Sequence, residues 1–254
     1  MGTWICHLRI VENLLITLPH LDETAFTFGN LAPDSGIPNA DWTQFDPPKE
    51  VTHFQSASED EGGIRDLGFF HEHLAQLTPQ NDLPRYSFAL GYFFHLVCDK
   101  LWAKHIGTTS KHAYAALFAE HGKNAAVELI KTDWYGLDHR YVRDHPTSLF
   151  WRVLMCTPNP PAYLSFIPLA ALHQQLDYIR AYYSQPDGTR VLDRAYPFLN
   201  ETTMSRFIAD TTASLLVIYA RLPDLCALHD TTTALALLTD RDIAPYDPPL
   251  GDVA

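Results

Sequence analysis

The chain has 254 residues, of which 46% are hydrophobic and 19% charged: enough apolar material for a sizeable core, and too little charge for a disordered segment. Its formal net charge of −12 repels phosphate polyanions, so a nucleic acid polymer is not an expected partner. Four widely separated cysteines do not make a disulfide scaffold, whereas thirteen histidines make a metal site worth seeking.

The chain opens "MGTWICHLRIVENLLITL". His7, Arg9 and Glu12 interrupt the apolar run, so it does not read as a secretory signal. No apolar window approaches the roughly 18–20 residues of a spanning helix. A cytoplasmic protein without a transmembrane segment is expected. Ile5, Leu8, Val11, Leu14, Leu15 and Leu18 recur with a helical period, with Thr3 as N-cap and Pro19 as terminator. Residues 29–62 are rich in Pro, Gly, Asn, Ser and Asp and read as one long loop, a kind that is usually functional or disordered. A helix is expected over 64–77. Pro84 opens another, which runs to about Ile106 and stops at Gly107. Further helical patterns cover 109–121, 123–143, 147–156, 162–183 and 202–221. Strand signals are scarce. From Pro223 the pattern weakens to one short helix and a loose acidic end. The expected architecture is all-α: one multi-helix domain over residues 1–222 and a partly irregular extension over 223–254.

The helix "FALGYFFHLVCDKLWAKHIG" is apolar on nearly every face yet carries His95, Asp99 and His105. Residues four apart sit about 40° from each other around a helix, so His95 and Asp99 can reach one point, while His105 lies about 120° from Asp99 and addresses another. A buried carboxylate needs a partner. Either His95 alone satisfies Asp99 as a core pair, or both ligate a metal, since imidazole nitrogen and carboxylate oxygen both suit zinc. The long loop offers Asp34 in "GNLAPDSG" and His53 in "KEVTHF" as further ligands, and His7 follows in the first helix. A second pair at this spacing, His173 and Asp177, reads as an ordinary surface contact. Trp42, Phe45 and Phe54 either wall an apolar cleft or pack the loop. No serine-hydrolase elbow, P-loop or dinucleotide fingerprint occurs.

Taken together and in order, "TWICHLRI", "FGNLAPDSG", "EVTHF" and "FALGYFFHLVCDKLWAKHI" resemble the zinc-dependent phospholipase C family, whose fold is shared with the fungal single-strand nucleases. "LGYFFHLVCDKLW", "DWYGLDHRYVRDHP" and "YPFLN" are similar to its intracellular bacterial branch, and the resemblance spans roughly residues 3–215. It implies an all-helical fold with a zinc cluster in a cleft. Asp34, His53, His95 and Asp99 would hold one zinc, with Asp99 bridging to a second near His7 and Trp4. His105 would begin a third site. The secreted enzymes complete that site with a further HxxxE or HxxxD pair, and none follows soon after His105 here. Asp133 and Asp138 are the candidates in its place, although Asp133 also suits a helix cap and Asp138 a surface partner of Arg140 or Arg143. In the secreted enzymes a processed N-terminal Trp chelates metal, whereas Trp4 here follows Met-Gly-Thr. The implied activity is hydrolysis of a small-molecule or lipid phosphoester by a metal-activated water, with two or three zinc ions. Asp34 would serve as ligand and base, and Trp4, Trp42 and Phe54 would contact substrate. The competing expectation is a metal-stabilised helical protein that binds a partner in its cleft without hydrolysing it.

Overall fold

The computed structural model describes residues 1–40, 44–55, 63–185 and 188–252, and they form a mostly helical chain. The centre is a long helix, α5. Numbered along the chain, the helices are α1 (Trp4–Thr17), α2 (Glu23–Leu31), α3 (Lys49–Thr52), α4 (Asp66–Phe69), α5 (Leu83–Trp102), α6 (Thr108–Ala113), α7 (Ala115–Asp144), α8 (Leu169–Ser184), α9 (Glu201–Ala220) and α10 (Leu222–Leu225). Among the described residues the only sheet is a two-residue antiparallel ladder of β1 (Ile37–Pro38) with β2 (Phe45–Asp46). No helix among them is long and apolar enough to cross a membrane.

Helix ends follow local chemistry. Thr3 caps α1 by accepting from the Cys6 amide, Asp22 caps α2 through Ala25, Asp82 caps α5 through Arg85, and Asn200 caps α9 through Thr203. From Tyr86 to Asp99 every residue of α5 is buried, so this helix has no polar face and is wrapped on all sides. α2 packs against it closely enough to need glycine on both helices. A Cβ on Gly29 would stand 2.0 Å from the Phe88 carbonyl oxygen, and one on Gly91 would stand 2.3 Å from that of Phe26. α1, α4 and α9 complete the wrapping.

Several expected boundaries move. Residues 23–34 are helical, as α2 and a 3-10 turn (Ala32–Asp34), so the loop is shorter than 29–62 and is broken again by the ladder and by α3. Gly107 does not stop α5: it keeps helical torsion in a π turn (Ala103–Gly107) that leads into α6. α7 breaks at Gly122, whose φ of 75° is one that L side chains rarely adopt, which agrees with the expected division between 121 and 123. The pattern over 162–183 starts late, at Leu169 after Pro168, and that over 147–156 narrows to a π turn, Phe150–Leu154.

The tail is not loose. Leu225, Leu235 and Leu250 are buried in the common core, and Asp66 accepts hydrogen bonds from Thr233 Oγ1 and the Ala234 amide. The Tyr246 amide donates to the His105 carbonyl, and the Asn200 amide to that of Leu250. Leu250→Ala is therefore expected to cost about 2–4 kcal/mol in urea denaturation. A loss within about 0.5 kcal/mol, the usual size at an exposed site, would return the tail to the surface.

Candidate metal centre

Five side chains from four segments converge beside α5. His95 and Asp99 come from α5 itself, His7 from the second turn of α1, Asp34 from the 3-10 turn after α2, and His53 from the C-cap of α3. Asp99 is the hub. Its Oδ1 lies 3.4 Å from His7 Nε2, and its Oδ2 lies 3.5 Å from His95 Nε2 and 3.6 Å from His53 Nε2. His53 Nε2 is also 3.4 Å from Asp34 Oδ1. The His7 and His95 rings stack at 4.0 Å. Two overlapping triads result, His7–His95–Asp99 and Asp34–His53–His95, each with its ligand-type atoms within 4.8 Å of one another.

The scaffold orients these groups. A carbonyl can only accept, so the 2.7 Å contact of His95 Nδ1 with the Asn30 carbonyl puts a proton on Nδ1 and turns Nε2 towards Asp99. Asn30 is held in turn, donating from Nδ2 to the Gly91 carbonyl at 3.0 Å. Trp4 Nε1 donates to Asp34 Oδ2 at 2.9 Å, and the Gly2 amide donates to Asp99 Oδ1 at 2.8 Å. Yet His7 Nε2, His53 Nε2, His95 Nε2 and Asp99 Oδ2 are buried without a hydrogen-bond partner. Acceptor atoms left facing each other in a dry site are costly unless a cation lies between them.

The spacing has the size a metal requires. Two ligands each about 2.0–2.2 Å from a tetrahedral ion stand roughly 3.3–3.6 Å apart, longer than an ordinary hydrogen bond. The separations at Asp99 and Asp34 fall between 3.4 and 3.6 Å. Without metal, burial lowers His7 to about 4 and also lowers His53, so neither is expected to hold a proton at neutral pH. Burial opposes charge on His95 too, but Asp99 and Asp34 outweigh it and raise its pKa. Burial would raise the Asp99 carboxyl, but the N-terminal ammonium and His95 hold it well below its usual range. Three imidazoles and two carboxylates, mostly unprotonated and convergent, suit a divalent cation.

The cluster opens on one side. His7, His53, His95 and Asp99 are each no more than 2% exposed, while the Asp34 side chain is 17% exposed. Asp34, His53 and Trp4 form part of the wall of a cavity of about 320 Å³. Phe45, Lys49, Lys131, Trp134, Tyr135 and Gln175 also line it. The expectation of a loop aromatic in the wall holds for Phe45. Lys49 precedes His53 by one helical turn, and Lys131, Trp134 and Tyr135 share one face of α7. Those periodicities are visible in the sequence, but nothing in it says that the α7 face looks onto this cavity.

Other expected site residues lie elsewhere. His105 does not join the cluster: its Nδ1 donates to the Ala244 carbonyl at 2.7 Å and its ring stacks on Tyr246 at 4.6 Å, so the C-terminal tail occupies its surroundings. Asp133 is a backbone anchor, accepting from the Phe198 amide at 2.6 Å and from Arg194 at 2.7 Å. Asp138 is neither a ligand of the cluster nor a surface partner of Arg140 or Arg143. It is buried and accepts from Thr3 Oγ1 at 2.8 Å and Tyr183 Oη at 2.6 Å. Phe54 packs inward against Phe69 and Phe166 rather than lining the cavity. Trp42 lies outside the described residues.

Burial pushes the Asp138 carboxyl up to about 7 from its ordinary 3.8, and the Tyr183 and Thr3 hydroxyls only partly offset this. Between those two values the folded protein holds a proton that the unfolded chain has released. Stability therefore falls as pH rises through this window, by up to about 1.4 kcal/mol per unit, and levels off above it. Asp138→Asn is expected to flatten that part of the profile in urea denaturation at pH 5 and pH 8. Identical profiles for the two proteins would remove Asp138 as the cause.

Comparisons of the chain with family models, with curated proteins and with solved structures each find no match.

Proposed function

We propose that the protein is a zinc-dependent phosphoester hydrolase with a phospholipase C-like arrangement of helices, acting on a phospholipid headgroup or a small phosphodiester. The observation that carries this reading is the convergence of buried, unpartnered Nε2 atoms and Asp99 Oδ2 at ligand-to-ligand spacing, behind an open cavity. His53, His95, Asp99 and Asp34 would hold one ion, and His7 with the other oxygen of Asp99 would begin a second. Bound zinc supplies a Lewis acid and a water acidified towards neutrality.

The chain's own groups do the rest. Asp34 is the only one of the five not fully buried, and its two oxygens are fixed by Trp4 and His53. Burial opposes its ionisation, but the neighbouring His53 and His95 imidazoles keep its carboxyl below the usual range, so it stands as an anion, suited to hold a cation and to orient a nucleophilic water. The Asn30 carbonyl keeps His95 Nε2 turned towards Asp99. The buried aromatic and aliphatic residues of α5 exclude water behind the cluster, which strengthens its electrostatics.

Turnover of a chromogenic phosphodiester, lost on chelation, restored by zinc and absent in His95→Ala, is the expected result. The near-complete burial of four of the five groups favours a second reading, a closed structural metal. Zinc bound tightly without turnover of any phosphoester class would select it.

A further inference from the structure

The cavity in front of the cluster carries cations that the ligand set does not explain. Lys49 stands one turn before His53 on α3, and both line the cavity. Among the described residues no carboxylate pairs with Lys49: its ammonium lies 3.3 Å from the Met1 sulfur and 5.6 Å from the centre of the Phe45 ring. Lys131 of α7 lines the same space, steadied at 2.9 Å by Glu128, which is not part of the wall. Asp34 is the sole carboxylate among the described wall residues, and it is already engaged by Trp4 and His53. A chain of net charge −12 thus places two lysines in the wall of this cavity. Bound divalent cations would add to the same sign.

The aromatic walls argue the other way. Trp4, Phe45, Trp134 and Tyr135 present ring surfaces of the kind that attract quaternary ammonium groups. The two effects favour opposite substrates. A ring face attracts a cation only at short range, whereas two ammonium groups in a half-enclosed wall repel it throughout the cavity.

We propose that Lys49 and Lys131 make the cavity select phosphoesters whose remaining portion carries negative charge, such as a carboxylate or a second phosphate, and reject those with a quaternary ammonium tail. This rests on the reading of the cluster as a phosphoester site and narrows its substrate class. Lys49 and Lys131 are specificity-determining residues in this account; the cluster does the chemistry.

The test is calorimetric titration of the zinc-loaded protein with three phosphomonoesters whose tails differ in charge: phosphocholine, glycerol 3-phosphate and 3-phosphoglycerate. Affinity is expected to rise in that order, by about fivefold per step, the size of one partly screened charge interaction. The double variant Lys49→Ala, Lys131→Ala should flatten the series, and Lys49→Glu with Lys131→Glu should reverse it. Equal affinities in the native protein, tightest binding of phosphocholine, or a series unchanged in the double variant would overturn the proposal. Because binding is read without turnover, the two claims fail separately. A graded series with no hydrolysis removes the hydrolase and keeps the selectivity, and hydrolysis with a flat series does the reverse.

Discussion

Asp99→Asn is expected to empty the site while leaving the fold intact. The substitution is isosteric, and its amide oxygen can still accept from the Gly2 amide. It removes the only group that faces His7, His53 and His95 together. Even residues that merely support metal ligands typically change affinity by about 10–100-fold, so loss of the hub should exceed that. In the native protein, zinc at a hundredfold excess over its Kd should stabilise the fold by about 2.7 kcal/mol. In Asp99→Asn that zinc-dependent gain should vanish, and phosphodiester turnover with it. An equal rise in melting temperature with zinc in both proteins would show that Asp99 is a core carboxylate and nothing more.

The second large effect lies one layer behind the site. Gly91→Ala places a Cβ 2.3 Å from the Phe26 carbonyl oxygen and 2.9 Å from the Asn30 amide nitrogen, both backbone atoms of α2. Neither can move aside without shifting the whole helix. A loss of about 3 kcal/mol or more is expected in urea denaturation, at the upper end of what overpacking costs. Moving α2 also withdraws the Asn30 carbonyl from His95, so zinc affinity should fall in whatever fraction still folds. Gly188→Ala is the control: a Cβ there meets nothing within 4 Å and should change stability by less than about 0.5 kcal/mol. Equal stability of the two variants would mean that the α2–α5 contact is looser than described.

The parts of this arrangement that were legible from the sequence are those set by local chemistry. The four-residue step from His95 to Asp99 places both on one side of any helix, and the cap at Thr3 marks the start of α1. Residue type and order single out His7, Asp34 and His53 as candidates, and the fold brings His7 and His53 to Asp99 and Asp34 to His53. What sequence spacing does not carry is the direction from which another element arrives. Asp133 and Asp138 follow His105 along the chain, but α7 turns them towards the loop before α9 and towards the start of α1. His105 is covered by a tail whose weak periodicity concealed three buried leucines. α2 is capped by Asp22, but Ala25, Phe26 and Phe28 lie in a short stretch between Pro19 and the expected loop, too brief for its periodicity to mark a helix, and its last residues fall within that loop. Gly107 misled for a related reason: it has the composition of a stop and the torsion of a helix.

The central claim is that a cation, not a proton, joins Asp99 to its histidines. A crystal grown with zinc, measured at the zinc absorption edge, tests it directly. An anomalous peak is predicted about 2.0–2.2 Å from His53 Nε2, His95 Nε2 and Asp99 Oδ2, with a second peak beside His7 Nε2. A map without anomalous signal there, with His95 Nε2 drawn to direct hydrogen-bond distance of Asp99 Oδ2, would contradict it.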